Sequence, residues 1–232
     1  LTVGPGTVEP RTVGVHVDLM HAAADPLAVV SRLADPAIRV VTLTVTEKAY
    51  RLDPATGRPR VDDEIRADVV TGRPPRTVPG LLARGLLARA ATGAPLAVVS
   101  CDNLPSNGRR TRALIEAALA VVPGPAGERA RWWLDGSVSF PGTMVDRIVP
   151  ATTDMTRALA CRALGVSDLV PVAAEPFSQW VIEDEFPGGR PAWERAGAVL
   201  TTDAEPWERL KLRMLNGVHS ALAYLGALAG VG

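Results

Sequence analysis

The sequence predicts an α/β protein, a parallel sheet within residues 1–150 followed by a mostly α-helical part over residues 151–232. Three observations carry that reading. Ile38 to Val45, IRVVTLTV, is a β-branched run bounded by Pro36 and by the polar Thr46-Glu47-Lys48, the pattern of a buried strand. A second such run, Leu96 to Ser100, follows Gly93 and Pro95. Between them, Thr77 to Ala91 places leucines 81, 82, 86 and 87 on one face, as an amphipathic helix requires. A strand, a helix and a strand of these lengths make a βαβ unit, and such a unit implies parallel strands.

The remaining elements follow from local signals. Asp53 to Arg76 is rich in Pro, Gly and charge and reads as an exposed loop. Arg110 to Val122 reads as a helix stopped by Pro123-Gly124-Pro125. Past a boundary near Pro150, Thr153 to Leu164 reads as a helix capped by Thr152 or Thr153 and ended by Gly165. Leu169 to Ala174 is expected to form a short strand. Pro206 to Ala229 is one long helical pattern opened by its proline.

Composition narrows the function classes. The 232 residues carry 25 basic and 25 acidic side chains and are 47% hydrophobic, which suits a folded core and leaves no electrostatic footprint for nucleic acid or an anionic membrane face. Cys101 and Cys161 stand alone, with no ligand-spaced histidine, and are expected to be buried reduced thiols. Met214 to Gly232 is uncharged, but its Asn216, His219 and Ser220 and its many Ala and Gly residues favour a buried core helix over a membrane span. No charged and apolar leader pattern opens the sequence, so it reads as cytoplasmic.

Rare residue types mark where chemistry could sit. Lys48 and Lys211 are the only lysines, and Asn103, Asn107 and Asn216 are the only asparagines. On an α-helix, about 100° per residue puts Asn216 roughly 140° and His219 roughly 80° from Lys211, within one polar sector of an otherwise apolar segment. A lysine desolvated there can be drawn down from its usual pKa of about 10.4, which an arginine cannot do, so Lys211 is a candidate general base. An amide N–H from Asn216 suits a developing alkoxide or carbonyl oxygen, and His219 suits a substrate hydroxyl. No metal is needed for this chemistry. The loop SCDNLPSNG, residues 100–108, follows the second strand, where ligands bind in open parallel sheets, although its residues also suit a plain turn. Asp146-Arg147, between apolar residues near the boundary, reads either as a structural ion pair or as a substrate-side pair.

Taken together, the segments TVTEKAY (44–50), SCDNLPSNG, FPGTMVDRIVP (140–150), EPFSQWVIEDEFPGGRPAWERAGAV (175–199) and KLRMLNGVHSALAYLG (211–226) resemble the mannitol dehydrogenase family of polyol-specific long-chain dehydrogenases and reductases, which includes fructuronate reductase-like enzymes. Ala49 stands where that family usually has Gly, and Val149 where it usually has Thr. The resemblance implies a Rossmann-like dinucleotide-binding part followed by a helical substrate domain. It also implies metal-independent hydride transfer, linked to NAD or NADP with NAD favoured, between a sugar alcohol or aldonate and its ketose or keto-uronate. By that resemblance Lys211 is the general acid/base, and Asn216 pairs with a loop asparagine, Asn107 in preference to Asn103, to stabilise the oxyanion. His219, Asp146 and Asn103 contact substrate, and Glu47 and Lys48 lie near the nicotinamide.

The family's glycine-rich pyrophosphate turn has no counterpart here: Gly4-Pro5-Gly6 has the wrong spacing, and Gly80 to Gly85 lies inside a helical pattern. The chain therefore reads as the middle half of a family member, truncated at both ends. A non-catalytic remnant and one half of a split enzyme, completed by a complementing polypeptide, are the alternative readings. An incomplete sheet is expected to expose apolar surface and to self-associate.

Overall fold

The computed structural model describes residues 1–4 and 7–230. Pro5 and Gly6 of the Gly4-Pro5-Gly6 motif, and Val231 and Gly232, lie outside the described residues. In chain order the elements are β1 (Thr2–Gly4), β2 (Thr7–Glu9), α1 (Pro26–Ala34), β3 (Val40–Leu43), α2 (Asp63–Val70), α3 (Val78–Arg89), β4 (Leu96–Ser100), α4 (Asn107–Ala120), α5 (Gly124–Ser137), β5 (Val138–Ser139), β6 (Thr143–Asp146), α6 (Asp154–Leu164), β7 (Gln179–Glu183), β8 (Val199–Thr201), α7 (Glu205–Leu210) and α8 (Gly217–Leu228). They fall into two compact units, Leu1–Leu19 with Val145–Trp180, and Met20–Met144 with Val181–Gly232.

In the first unit, β1 and β2 pair antiparallel and Thr2 bridges Ala174. Helix α6 starts at a Thr153 capping box and stops at Gly165, in the left-handed region at φ 71°, as its sequence signals require. The strand expected at Leu169 to Ala174 does not form. Pro171 has no N–H to give a ladder, Leu169 and Val170 are each 81% exposed, and only Ala174 makes a bridge.

The larger unit is built on a parallel sheet ordered β3-β4-β5, with Val40 to Leu43 opposite Ala97 to Ser100. Every residue of β4 is buried, the usual state of a central parallel strand covered on both faces. Ile65, Leu82, Leu86, Ile115, Leu119 and Trp133 bring α2 to α5 into one core with Leu96 and Val98. Helices α1 and α3 meet at Gly85, where a Cβ would lie 2.4 Å from that of Leu33.

The exposed loop expected at Asp53 to Arg76 is corrected, since it contains α2. Its Ile65 and Val69 are buried one helical turn apart, and Asp62 caps it by accepting from the N–H of Ile65. Asp68 of the same helix is fully buried and accepts from the N–H groups of Arg76 and Thr77, the Thr77 hydroxyl and the Arg73 guanidinium. Burial alone pushes its pKa up, but the Thr77, Arg76 and Arg73 donors outweigh burial and hold the carboxyl below the ordinary range. Stability from this group is therefore present above the unfolded pKa and lost as pH falls through the lower folded value. Asp68→Asn is expected to cost about 2 kcal/mol at pH 7. In urea titrations that difference should shrink below about pH 4.

Arg89 ends α3 as a fully buried guanidinium whose hydrogen bonds go to backbone carbonyls. Its Nε donates to the Ala94 carbonyl, Nη1 to those of Leu33 and Asp35, and Nη2 to those of Ile38 and Pro95. All five of its N–H groups thus hold the chain entering β3 and β4.

The pattern expected as one helix from Pro206 to Ala229 is a continuous helical course in three parts: α7, a wider π turn over Lys211–Asn216, and α8. The expected burial of this helix is corrected. Leu222, Leu225 and Leu228 are 62%, 63% and 86% exposed, and no residue of α8 is buried. A helix apolar on all sides needs cover from other elements, and none within this unit buries it. Among the described residues no helix is long and apolar enough to cross a membrane.

Candidate active site

Two loops leave the carboxyl ends of the sheet side by side, and Asp102 joins them. Its carboxylate accepts from the N–H groups of Val45 and Thr46, each at 2.9 Å, and from the Tyr50 hydroxyl at 2.7 Å. Thr46 has φ 67° and ψ 158°, a region almost confined to glycine, so the Asp102 bonds hold a strained turn. The Ser100 hydroxyl lies 2.6 Å from the Tyr50 oxygen, and burial, ahead of Asp102, drives the Tyr50 pKa far upward. Burial, with the Asp102 charge second, likewise raises the Cys101 thiol to about 11.

Cys101 is half-buried, whereas Cys161 is exposed, which corrects the expectation that both are buried. Because a thiol of pKa 11 is only on the order of one part in a thousand thiolate at pH 8, iodoacetamide is expected to label Cys161 first and Cys101 only on unfolding. Peptide mapping after labelling checks this.

The helix bearing Lys211 meets the second loop. Lys211 Nζ donates to Asn103 Oδ1 at 3.2 Å, and both oxygens of Glu208, one turn earlier, accept from the Ser106 N–H at 3.1 Å. Ser106 sits in the left-handed region, φ 52° and ψ 43°, which turns its N–H toward the helix. Burial raises the Glu208 pKa, opposed by the Ser106 bond and Arg109 and reinforced by Glu183 and Glu205.

In the π turn the N–H of Gly217 bonds the carbonyl of Leu212, five residues back. That register stacks residues five apart, so Asn216 lies closer to the line of Lys211 than the α-helical spacing suggests. Both are half-buried, and His219 is exposed in the first turn of α8.

The other expected site residues are placed as follows. Asn107 is fully buried: its Nδ2 donates to the carbonyls of Asp102 and Thr143 and to Thr143 Oγ1, and its Oδ1 accepts from the Thr143 N–H. Both amide hydrogens are thus engaged, and the loop asparagine in contact with Lys211 is Asn103. Glu47 and Lys48 lie exposed on a 3₁₀ turn, lining an open cleft of about 580 Å³ with Arg51, Asp53, Arg60 and Arg110. Asp146, on β6, belongs to the first unit. In that unit Arg147 donates to the Glu175 carbonyl.

A family model for the mannitol dehydrogenase Rossmann domain matches residues 10–195. The chain belongs to the mannitol dehydrogenase family. Among its relatives, the uncharacterized oxidoreductase YdfI of Escherichia coli K12 is 46% identical over 95% of this chain and 45% of that protein. Mannitol 2-dehydrogenase of Cereibacter sphaeroides is 41% identical over 100% of this chain and 48% of that protein. A ternary complex of Pseudomonas fluorescens mannitol 2-dehydrogenase with NAD and D-mannitol superposes with a TM-score of 0.81 at 40% identity, covering 94% of this chain and 44% of that one. The chain spans about half the length of the family members it matches.

Sequence reasoning missed several residues of the site. Glu208 was legible in principle, three residues before Lys211 and so on the same helical side. The pinning role of Asp102 needs two strand ends to be adjacent, which no local signal shows. The segment 184–194 closes on itself, with Arg190 paired to Asp184 and Glu194 and lying over the Phe186 ring.

The family implies a dinucleotide, and the residues present fit one end of it. The carboxyl ends of the parallel strands β3 and β4 lie side by side, the place where open sheets of this kind bind ligands. Gly80, Gly85 and Gly108 are closed by Asp68, Leu33 and the Phe140 carbonyl, so among the described residues they are packing glycines and not a pyrophosphate cradle.

Proposed function

We propose that the chain carries the acid/base side of a metal-independent, NAD(P)-linked oxidoreductase, with NAD favoured, interconverting a polyol or aldonate with its ketose or keto-uronate. The observation that carries this reading is Lys211 held by Asn103 on a π turn that also carries Asn216. In the oxidative direction the Lys211 amine takes the hydroxyl proton of the reacting carbon, and in reduction it returns that proton. The Asn216 amide donates to the same oxygen, where charge develops. By the family resemblance Asn107 is its partner, one amide hydrogen leaving the Asp102 or Thr143 carbonyl to reach the substrate oxygen.

His219 and Asn103 bind substrate hydroxyls, and the resemblance of FPGTMVDRIVP assigns Asp146 a substrate contact. When bound, the nicotinamide accepts or delivers the hydride, and Glu47 and Lys48 are the residues that hold its end of the dinucleotide. On this reading residues 1–150 belong to the dinucleotide-binding domain and 151–232 to the substrate domain, in a cytoplasmic protein. The exposed apolar face of α8 favours self-association or a complementing polypeptide.

The test is NADH consumption and NAD reduction with fructose, fructuronate, mannitol and arabinitol. Turnover with one of them supports the proposal. A folded chain that neither turns over nor quenches NADH fluorescence is the non-catalytic remnant. Turnover that appears only when the other part of a family member is added identifies a split enzyme.

A further inference from the structure

We infer that Glu183 is a positioning residue for the helix that carries Lys211, an inference that rests on the acid/base reading of that lysine. Its carboxylate takes backbone N–H groups from two different segments. Oε2 accepts from Gly142 at 2.7 Å, and Oε1 accepts from Ala204, the residue before α7, at 3.1 Å. The side chain leaves the end of β7 directly after the fully buried Val181 and Ile182, so the carboxylate is delivered from a fixed strand. At Ala204 it satisfies one of the unpaired N–H groups at a helix start and places negative charge where the helix dipole favours it.

A Cβ at Gly142 would lie 2.8 Å from Oε2 and so displace the carboxylate from its place. The neighbouring Thr143 is held by Asn107, and the loop containing Asn107 is held to α7 through Ser106 and Glu208. These bonds close a ring: β7 to the Phe140-Pro141-Gly142 turn, that turn to the loop, the loop to α7, and α7 back to β7. The Lys211–Asn103 contact lies on the side of the ring where loop and helix meet. The Glu183 N–H also donates to the Gly142 carbonyl at 3.0 Å, so loss of the carboxylate loosens that join and releases the start of α7. Lys211 is then free to shift against the loop, and a displacement near 1 Å in such a site costs about 10²-fold in rate.

Two variants approach the same bond from opposite sides. Glu183→Gln keeps the size but points an N–H₂ at one of the two backbone donors, and Gly142→Ala pushes the carboxylate away. In hydrogen-exchange mass spectrometry both are expected to speed exchange across residues 205–216 by about tenfold while leaving β3 and β4 within about twofold, a local and not a global opening. In the NADH assay kcat is expected to fall by about 10²-fold with KM changed by less than about threefold, since proton transfer and not binding is misaligned. Unchanged exchange at 205–216, or equal acceleration in β4, would overturn the inference, as would an unaltered kcat. If the wild-type chain shows no turnover, the oxidoreductase reading fails, and the exchange comparison still decides whether Glu183 holds the helix.

Discussion

Arg89→Leu is expected to lower the stability of the protein by about 3–5 kcal/mol, since several carbonyls lose a charged donor worth roughly 1.5–3 kcal/mol each. Leucine fills part of the volume but leaves five partly buried carbonyls, those of Leu33, Asp35, Ile38, Ala94 and Pro95, without this donor. Those carbonyls sit on the chain just ahead of β3 and β4, so the loss falls on the start of both parallel strands. Arg89→Lys keeps the charge but brings three donors where five are used, and should recover only part of the loss. Thermal melts followed by circular dichroism check the series, with a fall of roughly 10 °C expected for leucine. A melting temperature within about 2 °C of wild type would show that the five bonds contribute little net stability.

Lys211→Met is expected to reduce turnover by about 10²–10⁴-fold, the usual range for loss of a general acid/base. Methionine keeps the length and apolar stem of the side chain and removes the titrating nitrogen. The Asn103 contact is lost, but the Glu208–Ser106 and Glu183–Ala204 bonds that hold the helix do not involve Lys211. Stability should therefore change little, and NADH affinity should stay within a few-fold, so the effect appears in kcat. Equal loss of NADH binding and of kcat would place Lys211 in ligand binding instead of proton transfer.

The parts of this fold that were legible are those with a strong local period. Leu96 to Ser100 reads as a strand and is one to the residue, and the leucine face of α3 is legible because burial on one side repeats every turn. Helix α2 was hidden because Asp62, Asp63 and Glu64, which favour a helix start, also look like loop chemistry, and only Ile65 and Val69 mark its buried side. The strand expected at Leu169 to Ala174 had the composition but lacked a partner, which sequence does not supply. Burial of the helix after Asn216 was inferred from its apolar residues. Exposure is decided by what packs against it, and that information is non-local.

At the site, Lys211, Asn216 and His219 share a helical course and so could be grouped from spacing, whereas the π turn that carries the first two is a backbone register with no clear sequence mark. The three asparagines were identifiable by rarity, but their division of labour was not. Asn107 is committed to Thr143 and Asp102, and Asn103 meets Lys211, because of where β6 and the long helix lie in space. Asp102, Glu183 and Glu208 act on backbone N–H groups of distant segments, and a carboxylate with that task looks in sequence like any other surface acid.

The most direct test of the central claim is to follow the hydride itself. The wild-type chain is incubated with 4-deuterated NADH and a ketose or keto-uronate, and the product is analysed by NMR. Deuterium is expected on the newly formed secondary alcohol carbon, with transfer lost in Lys211→Met. A folded wild-type protein that yields no deuterated alcohol with any of the keto substrates, or whose Lys211→Met variant transfers deuterium as fast as wild type, would contradict that claim.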